Sequence, residues 1–438
     1  MNRRQFLARG GLVAGATVAA GAAGHVLAKE LADDEDVAQA GPSFADWDAV
    51  RAQFALDPDL VNMAAFLLAS HPRPVRDAID KHRGELDRDP KTYLFEHERE
   101  LEERVSSSAA SYVGGSPERI AFTDSTTMGL ALVYGTIRLR PGDEILTTRH
   151  DHYATHESLR LRAARTPGVS IRKVALYRPG VPTSEARLIE NLRRAITRRT
   201  RLVAVTWVHS STGMKLPIRG IAEMLARRRE SRRILLAVDG VHGFGVETTR
   251  VADLGCDIFA AGCHKWLFGP RGTGLVWANQ RAWRRVAPVI PTFDGRSYVA
   301  WIEGRSPMGV PPGPVMTPGG FHSFEHRWAL ADAFDFHREI GVDRVAERTH
   351  ELATQLKEGL AGIPRVRLIT PREPGLSAGI VCFEVAGMPA GAVVDRLAER
   401  GVVASVTPYA TEYVRMGPCV ANSPEDVESA LRALRSVV

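Results

Sequence analysis

The stretch "AAGCHKWLFGPRGTG", residues 260–274, sets a lysine between an apolar run and a glycine-rich turn. Lysine is scarce in this chain. Of its 57 Lys and Arg residues only seven are lysines: Lys29, Lys81, Lys91, Lys173, Lys215, Lys265 and Lys357. Where positive charge alone suffices, arginine stands. Lys265 is flanked by His264 and Trp266, poor surroundings for a solvated surface lysine. Arginine cannot supply a neutral amine, because its pKa is too high. Lys265 therefore points to a nucleophilic amine of the kind that condenses with a carbonyl compound.

Outward from this stretch, strand-like and helix-like segments alternate. The strands read as "RIAFT", "EILTT", "LVAVTWV", "ILLAVD", "DIFAAG" and "GTGLVWAN", with helical stretches such as "IRGIAEMLARRRE" between several of them. This alternation predicts a largely parallel sheet with helices on both faces. Ligands in such sheets gather at the carboxyl ends of the strands. Asp239 ends one apolar strand, His242 follows in "DGVHGFG", and Lys265 comes 26 residues after Asp239. In "FTDSTTMGLALVYG", Ser125, Thr126 and Thr127 stand where a strand gives way to a helix. Hydroxyls and free N–H groups at a helix N-terminus make a seat for phosphate; simple helix capping is the plainer reading. "TTRHDHYATHES" supplies His152 after another strand, and "AVTWVHSSTG" supplies His209 after a third.

Before this region, residues 43–89 read as helices with breaks, Pro72 and Pro74 stopping one and starting the next. A long amphipathic helix follows through "HERELEERVSSSAASYVG". Beyond Phe324 the pattern predicts one long helix through "EHRWALADAFDFHREIGVDRVAERTHELATQLKEGLAGI", then two short strands and two helices in a smaller α+β domain.

The chain opens "MNRRQFLARGGLVAGATVAAGAAGHVLAKE". Arg3 and Arg4, then Phe6-Leu7 and a glycine-diluted apolar run, resemble a twin-arginine export signal cleaved after Ala28. That route carries folded proteins, often with a cofactor inside, and implies the twin-arginine translocase as a partner and a periplasmic or other extracytoplasmic location. The acidic residues 29–42 read as a linker. Of the net charge of +6, Arg3, Arg4 and Arg9 account for half, leaving +3 on the rest, too little to argue for nucleic acid. Four scattered cysteines, Cys256, Cys263, Cys382 and Cys419, make neither a disulfide framework nor a zinc site. His150, His152 and His156 could be read as metal ligands, but no acidic or cysteine ligand follows at metal spacing. No GxSxG elbow, P-loop or Rossmann glycine fingerprint is present, which counts against a hydrolase of the serine-elbow type.

A lysine, a carboxylate, a phosphate seat and flat imidazoles at strand ends are what pyridoxal phosphate requires. With these residues in this order, "DGVHGFG…AAGCHKWLFGPRGTG" resembles the class V aminotransferase family, which includes cysteine desulfurases and isopenicillin N epimerase. The resemblance covers roughly residues 62–434. It implies the aspartate aminotransferase-like fold (PLP-dependent fold type I): a large α/β domain with a mostly parallel seven-stranded sheet and a smaller C-terminal α+β domain. The implied divisions are 1–28 signal, 29–42 linker, 43–322 N-terminal arm and large domain, and 323–438 small domain.

It also implies roles. Lys265 would bind the cofactor covalently, and Asp239 would pair with its ring nitrogen. His242 falls where a Gln or His bonds the ring hydroxyl, and His152 where a ring stacks on the pyridine. Thr126, Thr127 and His264 match phosphate contacts. His209 falls where many members have Asn near the ring oxygen. Arg415, in "VRMGPCVANSPEDVESAL", matches an arginine that clamps a substrate carboxylate. Gly262 departs from the serine of desulfurases, and the loop before Arg415, "ASVTPYATEY", lacks their nucleophilic cysteine. The reading is thus an exported enzyme acting at Cα of an amino acid or amino-bearing peptide, by epimerase- or aminotransferase-like chemistry. A decarboxylating or lyase-type tailoring of a secreted peptide such as a siderophore is the alternative, and an exported binding protein is the non-enzyme one. The fold implies a homodimer, with residues 311–326 reaching the neighbour's site.

Overall fold

The computed structural model describes residues 44–228 and 233–438. The expected signal and linker lie outside the described residues. The described chain enters through a short helix (Trp47–Arg51), a two-residue strand, β1 (Val61–Asn62), and two longer helices, α1 (Arg73–Arg88) and α2 (Pro90–Val113). Pro72 and Pro74 open α1 as expected, because proline lacks only an N–H that a first turn leaves unpaired. Asp89 separates the two helices and caps α2, accepting the Thr92 N–H at 3.1 Å. The segment 63–71, read as helical, instead forms turns.

A seven-stranded sheet follows, of β2 (Ile120–Thr123), β3 (Glu144–Thr148), β4 (Ser170–Val174), β5 (Thr200–Thr206), β6 (Leu235–Asp239), β7 (Ile258–Gly262) and β8 (Gly274–Ala278), in the order β2-β8-β7-β6-β5-β3-β4. The six strands read from sequence are all present, and β4 joins them at an edge. Strands β3 to β7 pair in parallel, while β8 is antiparallel to both β2 and β7. Strands β2, β3, β5, β6 and β7 therefore end at the same edge of the sheet. β6 and β7 are buried at every position, as expected of central strands covered on both faces. Helices α3 (Thr126–Thr136) and α4 (Tyr153–Ala164) begin at the edge where β2 and β3 end.

Beyond the sheet, the single long helix expected after Phe324 is three: Phe324–Trp328, α5 (Leu330–Ile340) and α6 (Val342–Ala361). Gly341 makes the last break with φ of 94°, a left-handed conformation in which a β-carbon is strained. Phe334 and Phe336 on α5 pack into the core on one face of the large sheet, with Trp266 and Phe268. A second apolar cluster, including Leu130, Tyr134 and Leu159, fills the other face.

The C-terminal region holds a four-stranded antiparallel sheet in the order β12-β13-β10-β9, where the sequence suggested two strands. Its members are β9 (Val366–Leu368), β10 (Val381–Val385), β12 (Ser405–Val406) and β13 (Val414–Met416). β11 (Val402–Val403) leaves this sheet and pairs in parallel with β1. Leu352, Phe383, Val414 and Leu431 form this region's own core. The result is the α/β fold of type I pyridoxal-phosphate enzymes, a large sheet domain and a smaller C-terminal α+β region. Among the described residues, no helix is long and apolar enough to cross a membrane.

Candidate active site

Asp239 is the last residue of β6 and only 2% exposed. Its Oδ1 accepts the Val241 N–H at 3.2 Å. Burial pushes the carboxyl up to about 6; Lys265 opposes that shift and the nearby Asp151 adds to it. Lys265 follows β7 on the loop that returns as β8. Three hydrogen bonds pin this loop: Cys263 N–H to Thr273 O, Gly269 N–H to Cys263 O, and Thr273 Oγ1 to Pro270 O. Burial lowers the Lys265 amine to about 8, with Arg415 adding to the effect and Asp239 resisting it. The neutral fraction near neutral pH is thus far larger than in an ordinary lysine, as a nucleophile or base requires. Lys265 Nζ lies 3.5 Å from His242 Nε2, while the Trp266 indole N–H donates to His242 Nδ1 at 3.4 Å. Burial drives His242 well below its ordinary pKa, so its ring is neutral.

At the end of β2, Ser125 caps α3 by accepting the Met128 N–H at 3.1 Å. Thr126 Oγ1 accepts the Gly262 N–H at 2.7 Å, and Thr127 is exposed on the same first turn. The structure explains Gly262. A Cβ there would lie 2.9 Å from His264 Cε1 and 3.1 Å from Thr126 Oγ1. Glycine lets the His264 ring fold over Thr126. His264 Nδ1 is buried without a hydrogen-bond partner among the described residues. A buried ring nitrogen beside a helix N-terminus fits an anion such as phosphate.

His152 follows β3 and starts α4. Its Nδ1 accepts the Ala154 N–H at 3.2 Å, and its ring meets Tyr409 edge-on at 6.2 Å. The neighbouring histidines diverge from it. His150 stacks on Tyr177 at 4.4 Å, and His156 Nε2 donates to Thr148 O at 2.8 Å. Among the described residues, no group of His, Cys, Asp and Glu is placed to hold a metal ion.

His209 follows β5 and is fully buried. Its Nδ1 is 2.8 Å from the Tyr177 hydroxyl, and its Nε2 lies 3.3 Å from both Thr148 Oγ1 and Asp151 Oδ1. Asp151 also accepts from Thr147 Oγ1 and from the Thr148 and Thr206 N–H groups. Although burial works against ionisation, His209, Thr147 and Thr148 hold the Asp151 carboxyl at about 2. Both His209 nitrogens are thus engaged within the protein. The next residue, Ser210, faces the pocket instead: its hydroxyl is 2.7 Å from Tyr409 OH.

Arg415 lies on β13 and is 3% exposed. Its Nε donates to Ser405 Oγ at 3.0 Å, Nη1 to Ser210 O at 3.2 Å and Nη2 to Val406 O at 3.3 Å. All three acceptors are neutral, and no carboxylate among the described residues pairs with this guanidinium. The fold therefore assembles Lys265, Asp239, His242, His152, Thr126, His264 and Arg415 at one end of the sheet. Asp151, Tyr177, Ser210, Ser405, Tyr409 and Phe66 belong to the same site and were not singled out by sequence. Asp151 alone carried a local signal, its place beside His152 at a strand end. The four cysteines are buried, and burial pushes the thiols of Cys263, Cys382 and Cys419 up to about 12.

Residues 74–429 match the model of the family described as aminotransferase class-V. The chain is 30% identical over 352 residues to isopenicillin N epimerase of Streptomyces clavuligerus, covering 78% of this chain and 85% of that one. It is 27% identical to a probable cysteine desulfurase of Xylella fastidiosa, covering 92% and 99%. Among solved structures, the cystine C–S lyase C-DES in complex with its reaction product, cysteine persulfide, superposes with a TM-score of 0.79 at 21% identity, over 86% of this chain and 98% of that one. A buried carboxylate at a strand end, a depressed lysine amine and an anion cradle fit pyridoxal phosphate, the cofactor of this fold. The chain belongs to the class V aminotransferase family and is a pyridoxal-phosphate-dependent enzyme.

Proposed function

We propose that the enzyme acts at the Cα of an amino acid, or of a peptide with a free amino group, that carries a free carboxylate, and that the outcome is epimerase- or aminotransferase-like. The unpaired guanidinium of Arg415 carries this reading. Arginine has five N–H donors, and three are spent on neutral acceptors. The two that remain suit a carboxylate. Burying a cation without a counter-ion is costly, and a substrate anion offsets that cost.

Pyridoxal phosphate supplies an aldehyde for the substrate amine and a conjugated ring that accepts the electron pair of a broken Cα bond. Lys265 would hold it covalently and, once released by the substrate, hold the Cα proton. Asp239 would keep the ring nitrogen protonated, His152 cover the ring and His242 bond its hydroxyl. Thr126, His264 and the first turn of α3, with Thr127, would receive the phosphate. His209 would brace the pocket wall from behind. The likeness to isopenicillin N epimerase favours inversion at Cα. The loop between β12 and β13 carries Tyr409 and no cysteine, and the buried thiols elsewhere do not suit desulfuration.

Export by the twin-arginine route, with a mature chain starting near Lys29, rests on Arg3, Arg4 and the apolar run after them. It would place the substrate outside the cytoplasm, where a secreted peptide such as a siderophore is accessible. Replacing Arg3 and Arg4 by lysine should leave the protein in the cytoplasm on fractionation; undiminished export rejects the route. The proposal for Arg415 is tested by titrating the holoenzyme with L- and D-amino acids and with their amides, following the cofactor absorbance. The amides, which lack the negative charge, should bind roughly ten- to a hundred-fold more weakly, and Arg415→Gln should erase that preference. Equal binding of acids and amides by the native enzyme rejects the reading.

A further inference from the structure

Inversion at a carbon removes a proton from one face and delivers one to the other. A single base on one side restores the configuration it started from. Lys265 supplies one such group, at the ends of β6 and β7 beside His242. Other elements also contribute to the pocket: His152 after β3, Ser210 after β5, and the loop between β12 and β13. Tyr409 stands on that loop. The loop is pinned by the Thr407 N–H to Tyr413 O at 2.9 Å and the Tyr413 N–H to Thr407 Oγ1 at 2.8 Å. Tyr409 is thereby held edge-on to the His152 ring, with its hydroxyl 2.7 Å from Ser210 Oγ. The Ser210 carbonyl in turn holds Arg415.

We propose that the Tyr409 hydroxyl, seated on Ser210, is the second proton-exchanging group of the site and acts on the face of Cα opposite Lys265. This rests on the reading that the enzyme works at Cα. Two hydroxyls that bond to each other use one O–H between them and keep one proton to offer. That proton lies beside the guanidinium that would anchor the substrate carboxylate. Tyr409 carries its proton at neutral pH; burial holds on to that proton more tightly, while Ser210 and the Arg415 guanidinium favour the phenolate left when it is given up. The residue is only half-buried, so solvent can restore what it gives.

In one direction, the neutral Lys265 amine takes the Cα proton and becomes an ammonium. The electron pair of the broken C–H bond stays with the conjugated substrate. Tyr409 gives its O–H proton to the other face, which forms the new C–H bond and leaves a phenolate near Arg415. Solvent returns a proton to the phenolate, and the ammonium releases its own. The reverse direction starts from the other protonation state, phenolate on Tyr409 and ammonium on Lys265, and exchanges the two roles.

The test uses holoenzyme in deuterated water with the L and D forms of alanine, leucine, methionine and glutamate, reading deuterium at Cα for each enantiomer separately. Wild type should exchange both enantiomers of at least one pair. Tyr409→Phe should keep exchange with one enantiomer and lose it on the order of a hundred-fold with the other. Its thermal midpoint and its affinity for pyridoxal phosphate should stay at wild-type values. Ser210→Ala should show a smaller loss with the same handedness. Equal losses for both enantiomers, or none for either, overturn the role of Tyr409. A wild type that exchanges only one enantiomer also overturns it, while leaving action at Cα standing. A wild type that exchanges no Cα hydrogen overturns the Cα reading itself.

Discussion

The guanidinium carbon of Arg415 lies over the ring of Phe66, 4.9 Å from its centroid. One residue comes from the turn after β1 and the other from β13, and both are buried. A desolvated cation–π contact contributes up to about 2 kcal/mol. The ring also supplies a flat support that leaves the guanidinium plane free at its edge. Phe66→Leu keeps the site apolar with a somewhat smaller side chain and removes the quadrupole. The expected result is roughly ten-fold weaker binding of amino-acid carboxylates with little change in turnover, measured as KM against kcat. Unchanged KM would mean that Ser405 and Ser210 orient Arg415 without the ring.

Two lysines compete as candidates on amine chemistry alone. Lys357 is 3% exposed and burial lowers it to about 8, as for Lys265. Its Nζ, however, donates to Ser377 Oγ at 2.8 Å and Arg372 O at 3.1 Å, and the acids that act on it are Glu373 and Glu358, whereas Asp239 acts on Lys265. Borohydride treatment of the yellow holoenzyme should therefore fix the cofactor on Lys265. Peptide mapping decides: a label on Lys357, on Lys215 or on no lysine rejects the assignment.

Asp239 should make the cofactor-free protein less stable than it need be. Its carboxyl is raised from 3.8 to about 6, so between these values the folded state holds a proton that the unfolded chain has released. Stability then falls as pH rises through that window, and a penalty of roughly 3 kcal/mol is fully present above it. Asp239→Asn retains the oxygen that accepts the Val241 N–H and removes the charge. The cofactor-free variant should melt higher than wild type near pH 8 and the same near pH 3, while the loaded variant loses most activity. A lower Tm at both pH values would contradict this.

The exposed side chains of residues 289–321 predict assembly. Trp301 is 70% exposed, Met308 82% and Phe321 84%, with Val289 and Phe293 at 63% each. We read these side chains as an interaction face. A second copy of this chain on a two-fold axis is the expected occupant. Light scattering of the holoenzyme should give twice the chain mass, and Trp301→Glu with Phe321→Glu should give monomers. A wild-type monomer with full activity rejects the assembly.

Much of the site was legible because its residues are tied to strand ends. "ILLAVD" and "DIFAAG" are apolar without interruption, and such a run ends where the polar chemistry starts. β4 was missed because "SIRKV" is an edge strand with exposed and half-buried positions, so its pattern gives little signal. The break at Gly341 was hidden inside a strong helical pattern, since one glycine can sit within a helix as readily as end it. Ser210, Tyr409 and Phe66 could not be read at all. They become neighbours of Arg415 only through the closing of the chain. His209 illustrates the reverse: its position was legible, but its engagement by Tyr177 and Asp151 depends on side chains whose meeting no spacing announces.

The pairing of β1 with β11 ties the beginning of the described chain to its end. Gly417 donates to Met63 O at 2.7 Å, and the Asn422 side chain donates to Asn62 O at 3.1 Å. Phe66 and Arg415 are brought together by the same seam. During synthesis the turn after β1 leaves the ribosome hundreds of residues before its partners exist. It must wait, with Phe66 uncovered, until nearly the whole chain has been made. The carboxylate end of the pocket can therefore be completed only as a last step, after the large sheet has formed. A chain cut short before β13 would lack Arg415 and with it the wall that grips a substrate.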